Sequence, residues 1–432
     1  MAQRKQWSKL DNAAKIFPPT ASRRDTKVFR LVCELTEPVE SAPLQLALER
    51  TMELFPLFRS ILKKGLFWYF FEESSLRRVV AEEDIPICSE IYHPDKPGLL
   101  FRVSYYNCRI NLEIFHALAD GAGAMQFLRT MVFFYLAERH GISGQLSDYD
   151  AAPDQKGLDA FYKYYDKTKR PPAAKSHRAY RIRGERFPDD RLSVTEGTMS
   201  AKAVLDKAHE YKASLSELLI ALLISSVSDG MAVRELGRPV VITVPVDLRR
   251  FFPAETARNF FGVITVTHNF KKDGQEFPQI LANVQSAFTQ QLTPENLSGI
   301  ISRYSMIENN LLVKIIPLQL KIPFLRIAGL WADGEDTAAF SNVGRVTMPE
   351  EASKHIRLFD LFLSTKRPQL CLCSFGDTLA ISVSSPLTDT SLQRRFFRKL
   401  TAMGIDIQVV SNLEQLAGEE DNGERGSGNA TV

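Results

Sequence analysis

The fold is decided by residues 114–128, which read IFHALADGAGAMQFL. An apolar run ends at His116, small residues follow, and from residue 122 the chain is apolar on nearly every side. This pattern predicts a strand, a tight turn and then a helix buried between layers of structure. A histidine at a strand end is held by the sheet yet open on one side, so the pattern His-x-x-x-Asp-Gly at 116–121 is the candidate site.

His116 is the candidate base of this site. Histidine has an unperturbed pKa of about 6.5, so it can accept a proton from an alcohol, amine or thiol near neutral pH. Asp120 could orient His116, cap the helix or anchor the turn, and its position before Gly121 favours a structural role. No third ligand lies nearby, so we predict no metal site. Taken alone the motif is a modest signal, because a lone histidine in apolar surroundings is more often a core residue.

Composition and charge exclude several classes of protein. The 54 basic and 51 acidic residues leave a net charge of +3, without the basic excess expected of a nucleic-acid binder. No apolar run follows the charges at the start, so we expect no secretory signal. The longest apolar windows carry charges and prolines, which argues against a transmembrane segment. Five scattered cysteines, an odd number, fit a reducing cytoplasm better than a disulfide framework.

The length of 432 residues favours two domains. A polar stretch with many cations, at about 143–188, is interpreted as a crossover between them, and a dock for cofactor phosphates or an acidic carrier protein is the alternative. The stretch 311–330 could cover a channel mouth or contact lipid, but core packing is favoured. Local patterns predict further elements: strands at 29–35, 99–106, 109–115 and 240–246, hairpins at 57–71 and 370–384, and helices at 43–55, 218–227 and 391–403.

Several motifs in order resemble one known family, the CoA-dependent acyltransferases of the chloramphenicol acetyltransferase-like fold. That superfamily includes alcohol acetyltransferases and the condensation domains of nonribosomal peptide synthetases, and the motifs look like those of its bacterial alcohol acetyltransferase-type members. The resemblance covers about 9–416. It rests on the following stretches: 58–72, His116 to Gly121, 245–249, 259–262 and 341–344.

The resemblance implies an α/β (α+β) fold of two similar sandwich lobes with an active-site channel between them. Residues 1–188 would form the N-terminal lobe, 189–416 the C-terminal lobe, and 417–432 a disordered acidic tail. The implied reaction moves an acyl group from acyl-CoA directly to a hydroxyl or amine of a small or lipid-like acceptor. In that family the histidine, here His116, is the general base, and no cofactor is tightly bound.

The resemblance also implies roles for other residues. Asp120 would pair with an arginine, Arg249 or alternatively Arg250, and with Gly121 would shape the loop. Ser341 lies in a channel-lining region and could donate to an oxyanion, with a hydrogen bond at a strand bulge as an equal alternative. Asn259 is a similar candidate, although a turn role is favoured.

Two alternative functions stay open. One is a condensation-type enzyme that takes its acyl group from the phosphopantetheine arm of an acyl carrier protein. The other is a non-catalytic scaffold that retains the fold. Phe115 occupies the position where condensation domains commonly have a second histidine, which weakens that assignment.

Overall fold

The computed structural model describes residues 7–144, 159–166, 178–309, 314–332, 335–413 and 416. The strands are β1 Trp7–Lys9, β2 Val28–Leu35, β3 Ser60–Lys64, β4 Tyr69–Glu73, β5 Ala81–Glu82, β6 Phe101–Tyr106, β7 Arg109–Phe115, β8 Ser193–Ser200, β9 Val240–Asp247, β10 Phe261–His268, β11 Ala338–Val346, β12 Ile356–Leu363, β13 Gln369–Phe375, β14 Thr378–Ser385 and β15 Gln408–Ser411. The helices are α1 Phe17–Thr20, α2 Ser41–Leu54, α3 Gly121–His140, α4 Ala160–Lys163, α5 Ala201–Glu210, α6 Leu215–Ser228, α7 Phe277–Gln291, α8 Pro294–Asn309, α9 Leu318–Ala332, α10 Glu350–Ser353 and α11 Ser391–Ala402.

Two large sheets organise these elements. The first has the strand order β12-β2-β7-β6-β5, and the second has the order β10-β9-β11-β13-β14-β8-β15. A small third sheet, β1-β4-β3, joins the start of the chain to the β3–β4 hairpin. Helices α2 and α3 pack together beside the first sheet, where Phe127 of α3 stacks on Phe58 with ring centroids 4.1 Å apart. The mixed α/β architecture predicted from the sequence is confirmed.

One strand crosses between the halves. β12 comes from the second half of the sequence but pairs antiparallel with β2 at the edge of the first sheet. Phe359 of β12 and Cys371 and Cys373 of β13 therefore belong to the same apolar core as β2 and α3. The division at residue 188 stays a prediction, and the first sheet is not built from residues 1–188 alone.

An ion-pair network lies where the two large sheets meet. Arg109 of β7 donates from Nη1 and Nη2 to both carboxylate oxygens of Glu196 in β8, at 2.9 and 3.0 Å. Its Nε donates to Glu34 of β2 at 2.8 Å. Nearby, the buried Asp360 of β12 accepts from the Ser382 hydroxyl of β14 at 2.6 Å. Polar and charged contacts, together with the shared apolar core, therefore hold the two halves of the chain together.

Local sequence patterns predicted most of these elements. The predicted strand at 240–246 corresponds to β9, and the predicted hairpin at 370–384 corresponds to β13 and β14. Within the crossover, Tyr180 is buried and its N–H donates to the Pro239 carbonyl at 2.7 Å, so this part packs on the second half. The cations Lys167, Lys169, Arg170 and Lys175 and the predicted tail at 417–432 lie outside the described residues.

A helix must be both long and apolar enough to cross a membrane. No single helix within the described ranges meets both requirements. Helices α5 and α6 meet them only when joined, and they are bent by 82° relative to each other.

Candidate active site

His116 directly follows β7 and lies among aromatic rings. Its backbone N–H donates to the Lys27 carbonyl at 2.8 Å, which continues the β2–β7 ladder. Its imidazole stacks on Phe17 with ring centroids 4.4 Å apart, and the centroids of Phe29 and Phe261 lie at 5.0 and 5.7 Å. Burial here disfavours the imidazolium and lowers the pKa of His116 from its usual 6.5. The imidazole is therefore a neutral base at neutral pH.

A chain of hydrogen bonds determines which imidazole nitrogen carries the proton. Nδ1 of His116 lies 3.1 Å from Oδ1 of Asn259, and the Asn259 amide nitrogen donates to Oδ2 of Asp11 at 3.3 Å. Because an ionised carboxylate only accepts, the amide nitrogen must face Asp11 and the amide oxygen must face His116. The proton then resides on Nδ1. Nε2 makes no hydrogen bond within the described part of the chain, so its lone pair is free.

Asp11 was not identified from the sequence. Its side chain is fully buried, and its Oδ1 accepts from the Ala14 N–H at 2.7 Å at the start of a short 3-10 helix. Burial raises the pKa of Asp11 to about 6, and the Arg258 guanidinium, with Nε 3.8 Å from Oδ2, opposes this rise. The carboxyl is mostly ionised at pH 7. The same segment continues into Phe17, so it supplies two contacts of the site.

Asp120 caps α3 and connects the two halves of the chain. Its Oδ1 accepts from the Gly123 N–H at 2.9 Å, and its Oδ2 accepts from the Phe260 N–H at 2.8 Å. Arg249 donates to Oδ2 from Nη1 at 2.9 Å and to Oδ1 from Nη2 at 3.2 Å. Burial alone would lower the pKa of Arg249, but the adjacent carboxylates outweigh it and raise the pKa. The structure thus pairs Asp120 with Arg249, the first of the two arginines considered.

Gly123, which the sequence did not single out, is a position near the site where a side chain would not fit. A Cβ at Gly123 would lie 1.9 Å from the backbone oxygen of Ala257, which cannot move without displacing the chain. At Gly121, by contrast, a Cβ would meet only Cγ2 of Val343 at 3.4 Å, an ordinary contact. The close approach of the chain at Ala257 to the first turn of α3 therefore depends on Gly123.

Ser341 lies on β11, which approaches the same loop through Val343. The pairing of β11 with β13 shifts register between Asn342 and Gly344, so the predicted bulge is present. The Asn342 amide holds this bulge by donating to Ser216 at 3.0 Å and accepting from the Gly344 N–H at 2.8 Å. The Ser341 hydroxyl makes no hydrogen bond to any described residue and is half-buried. It is free to bind a ligand group.

One cluster elsewhere has metal-ligating atoms. Glu37, His140 and His355 bring ligand atoms within 4.8 Å of one another, at the end of α3 remote from His116. The two imidazoles stack with centroids 3.8 Å apart, and Nε2 of His140 lies 2.5 Å from Oε1 of Glu37. The lone pairs of parallel rings do not converge on one point. The arrangement therefore suits an ion pair beside a ring stack better than a metal centre.

Comparison with known proteins identifies the class of fold. No protein-family model and no curated protein sequence matches this chain. The trichothecene 15-O-acetyltransferase TRI3 from Fusarium sporotrichioides matches with a TM-score of 0.59 and 12% identity over 93% of this chain and 94% of TRI3. TRI101 from F. graminearum, complexed with coenzyme A and deoxynivalenol, matches with a TM-score of 0.61 and 12% identity over 91% and 97%.

A condensation domain has the same architecture. The first condensation domain of the calcium-dependent antibiotic synthetase, in complex with substrate analogue 3a, gives a TM-score of 0.58 and 14% identity over 91% of this chain and 95% of that chain. This protein therefore has the two-lobed fold of the CoA-dependent acyltransferase and condensation-domain superfamily, as predicted. Identities this low establish the fold, and the reaction must be argued from the site.

Proposed function

We propose that this chain is an acyltransferase that moves an acyl group from acyl-CoA to a hydroxyl or amine of a small or lipid-like acceptor. The observation that carries the proposal is the free Nε2 of His116, whose tautomer is set through Asn259. The fold shared with TRI101, which was solved with coenzyme A, supports a CoA thioester as donor. Donor and acceptor are both cosubstrates, and the proposed reaction uses no tightly bound cofactor.

The proposed reaction passes the acyl group directly to the acceptor. Nε2 of His116 accepts the acceptor's proton while the acceptor oxygen or nitrogen attacks the thioester carbonyl. The resulting tetrahedral intermediate collapses by breaking its carbon–sulfur bond. The CoA thiolate then takes the proton from Nε2, which restores the neutral imidazole. The Nδ1–H bond to Asn259 stabilises the imidazolium that exists between these steps.

Other residues would act around this base. Asp120 and Arg249 would hold the loop, together with Gly121 at the first position of α3. We assign the unengaged Ser341 hydroxyl to the developing oxyanion, where a donor placed in advance is most effective. Asn259 has both ends of its amide engaged and is 1% exposed, so we assign it an orienting role instead of the oxyanion role considered from the sequence.

A direct test measures free thiol released from acetyl-, octanoyl- and palmitoyl-CoA in the presence of pooled alcohols and amines. The wild type should release thiol in an acceptor-dependent manner, and His116→Ala should be slower by at least about a hundredfold, because a positioned base typically contributes that much. His209→Ala, at an exposed histidine, is the control. Turnover by His116→Ala at the wild-type rate would refute the mechanism.

Thermal melting tests the scaffold alternative. If His116 were retained only for structure, His116→Ala should melt well below the wild type. An inactive variant with an unchanged melting temperature supports catalysis and removes the structural argument.

A second candidate is a condensation-type enzyme that uses acyl-carrier-protein thioesters. It is supported by Arg178 and Arg181, two exposed cations in the described part of the crossover that could bind an acidic carrier protein. Faster turnover with acyl-carrier protein than with acyl-CoA would favour this donor. Arg178→Glu/Arg181→Glu should then slow only the carrier-dependent reaction, and an unchanged preference would count against the dock. We also propose a cytoplasmic location, supported by five free cysteines.

A further inference from the structure

Helix α9 presents apolar side chains on its outward face. On its inner face, Lys321 is buried and its Nζ donates to the Phe67 carbonyl in the β3–β4 turn at 3.0 Å. Leu320, Phe324 and Ile327 are spaced for one helical face and are 59%, 73% and 51% exposed. Surface helices of globular proteins normally carry polar residues on the outward face, so this face is unusual.

The β3–β4 turn continues the apolar surface. Its Leu66 is exposed, and the Leu66 carbonyl accepts from the Leu318 N–H at 2.8 Å, which attaches the turn to α9. Trp7 of β1 is 66% exposed and lies in the strand paired with β4. A cavity of about 580 Å³ opens among these elements, and its lining is mainly apolar. The lining includes Trp7, Leu10, Phe67, Trp68, Phe70 and Lys314.

Most charged side chains of this surface are cations, and the adjacent acidic groups are Glu72, which pairs with Trp7 in the β1–β4 ladder, and Asp95, 3.9 Å from Lys64. The segments that form it, 7–10, 60–71 and 314–327, contain no Asp or Glu. Because the whole chain has nearly equal numbers of basic and acidic residues, 54 and 51, this separation of sign is local. The cations in these segments are Lys9, Lys63, Lys64, Lys314, Lys321 and Arg326. Of these, Lys321 is buried against the Phe67 carbonyl and Arg326 donates to the Pro19 carbonyl, so the other four are the cations available to a partner.

We propose that α9, the β3–β4 turn and β1 form a docking surface for an anionic lipid bilayer. An outward apolar helix face flanked by lysines is the composition of an interfacial helix, whose apolar side enters the boundary between headgroups and acyl chains. Exposed indole and phenyl rings suit the same depth, and the lysines match anionic headgroups. A second copy of this chain packed on the same surface would oppose these cations with the same cations, which disfavours a symmetric dimer and favours an anionic partner.

The docking surface is connected to the candidate base through one segment. Leu10 lines the cavity, and Phe17, seven positions further along the chain, stacks on His116. A lipid-borne donor or acceptor would therefore meet the protein close to the segment that covers the base. This route rests on the proposed function, whereas the docking surface itself does not.

Co-sedimentation of the full chain with vesicles tests the proposal. The wild type should bind vesicles of phosphatidylcholine and phosphatidylglycerol mixed three to one, and this binding should fall as NaCl is added. Binding to pure phosphatidylcholine should be weaker by at least about tenfold. Leu320→Glu/Phe324→Glu should lose at least about tenfold in binding to the mixed vesicles. Val233→Glu, which changes an exposed apolar side chain in another part of the surface, should bind as the wild type does.

Charge-reversal variants test the electrostatic part of the proposed vesicle binding. Lys9→Glu/Lys314→Glu should weaken binding to the mixed vesicles alone, whereas Lys272→Glu, at an exposed lysine elsewhere, should not. Wild-type binding to neither vesicle, or undiminished binding by Leu320→Glu/Phe324→Glu, would overturn the proposal. So would a dimer, seen by light scattering without vesicles, that this double variant dissociates.

Two further measurements keep these outcomes interpretable. Matching thermal melts by circular dichroism must show that each variant is folded. His116→Ala should bind vesicles as the wild type does, so a failure of the docking surface and a failure of the acyltransferase assignment give different results.

Discussion

His116 depends on two side chains that are distant in sequence. Its place at a strand end, before an aspartate that caps a helix, could be predicted because strand, turn and cap are local patterns. The tautomer of His116 could not be predicted, because Asn259 is 143 residues from His116 and Asp11 is 248 residues from Asn259. An aspartate ahead of a short helix is also explained by capping alone. Asp11 does accept a hydrogen bond from the Ala14 N–H at the start of its helix, so nothing in the sequence indicated its second contact. The position of His116 at a strand end was therefore predictable, and the orientation of its imidazole was not.

Asp11→Asn should lower kcat/KM by about tenfold to a hundredfold, a typical range for partners that orient an imidazole. The new side chain keeps an oxygen for the Ala14 N–H, so its amide nitrogen faces the amide nitrogen of Asn259. Asn259 then turns its amide over and donates to Nδ1 of His116. This favours the imidazole proton on Nε2, where the lone pair is needed, although the hydrogen bond between the His116 side chain and its own backbone remains. Thiol release by wild type and variant measures the effect.

The pH dependence separates this effect from loss of folding. In the wild type, kcat/KM should fall as pH drops below about 6.5, because Asp11 binds a proton near pH 6 and His116, whose pKa burial lowers from its usual value, binds one at lower pH than a free imidazole does. Folding raises the pKa of Asp11 from 3.8 to about 6, so its stabilising contribution is complete below 3.8 and lost as pH rises through about 6. The free energy of unfolding therefore falls by up to about 3 kcal/mol between these pH values, and Asp11→Asn, which carries no titrating group at this position, should not show this fall.

The variant should therefore be slow at pH 7.5 without a large fall in its free energy of unfolding. Wild-type kcat/KM in Asp11→Asn would contradict the orienting role of Asp11.

At the scale of elements, the start of α3 depends on the close approach at Gly123. Gly123→Ala should lower the free energy of unfolding by about 1 to 3 kcal/mol, because its methyl group would overlap the backbone of Ala257. Thiol release should fall as well, since the displaced chain leads directly to Asn259. Gly121→Ala is the matched control and should change stability by less than about 1 kcal/mol. Urea unfolding of both variants measures the difference, and equal stabilities would contradict the steric argument.

Helices and strands with a clear local sequence pattern were predicted well. Elements that depend on pairing with a distant part of the chain were not. The helix predicted at 218–227 corresponds to α6, where Ser214 and Glu217 form a capping box, a local Ser-x-x-Glu pattern. Strand β12 was not predicted, because its pairing with β2, for example Phe359 with Cys33, joins opposite ends of the sequence. The preference for core packing at 311–330 was wrong for the outward face of α9, where Phe324 is exposed. Periodicity shows which residues share a face and does not show what that face contacts.

At the scale of the whole molecule, a strand pairing and two ion-pair contacts join the two halves of the chain. Strand β12 completes the first sheet from the second half of the chain, and Asp120 and Arg249 join the halves at the site. Arg109 joins them again where the large sheets meet. A sequence shows none of these pairings, because each brings together residues with no common local pattern. The halves should therefore unfold together, and the Arg109 network is where this can be tested.

Arg109→Ala should lower the free energy of unfolding at pH 7.5 by up to about 3 kcal/mol, less than the usual cost of breaking a fully buried ion pair, because the Arg109 side chain is 30% exposed whereas that of Glu196 is 5% exposed. It leaves the buried Glu196 carboxylate without its cation and beside Asp360, whose pKa burial and the charge of Glu196 already raise well above its usual value. The raised pKa of Asp360 lets this carboxyl take a proton as pH falls, which removes its repulsion with Glu196, so urea unfolding should show a smaller loss at pH 5 than at pH 8. Arg109→Ala/Glu196→Gln should recover much of the loss. Lys354→Ala removes only an exposed ion pair and should cost less than about 1 kcal/mol. Equal stabilities of Arg109→Ala and Lys354→Ala would contradict this role of the Arg109 network. The pairing of β12 with β2 would then join the halves without it.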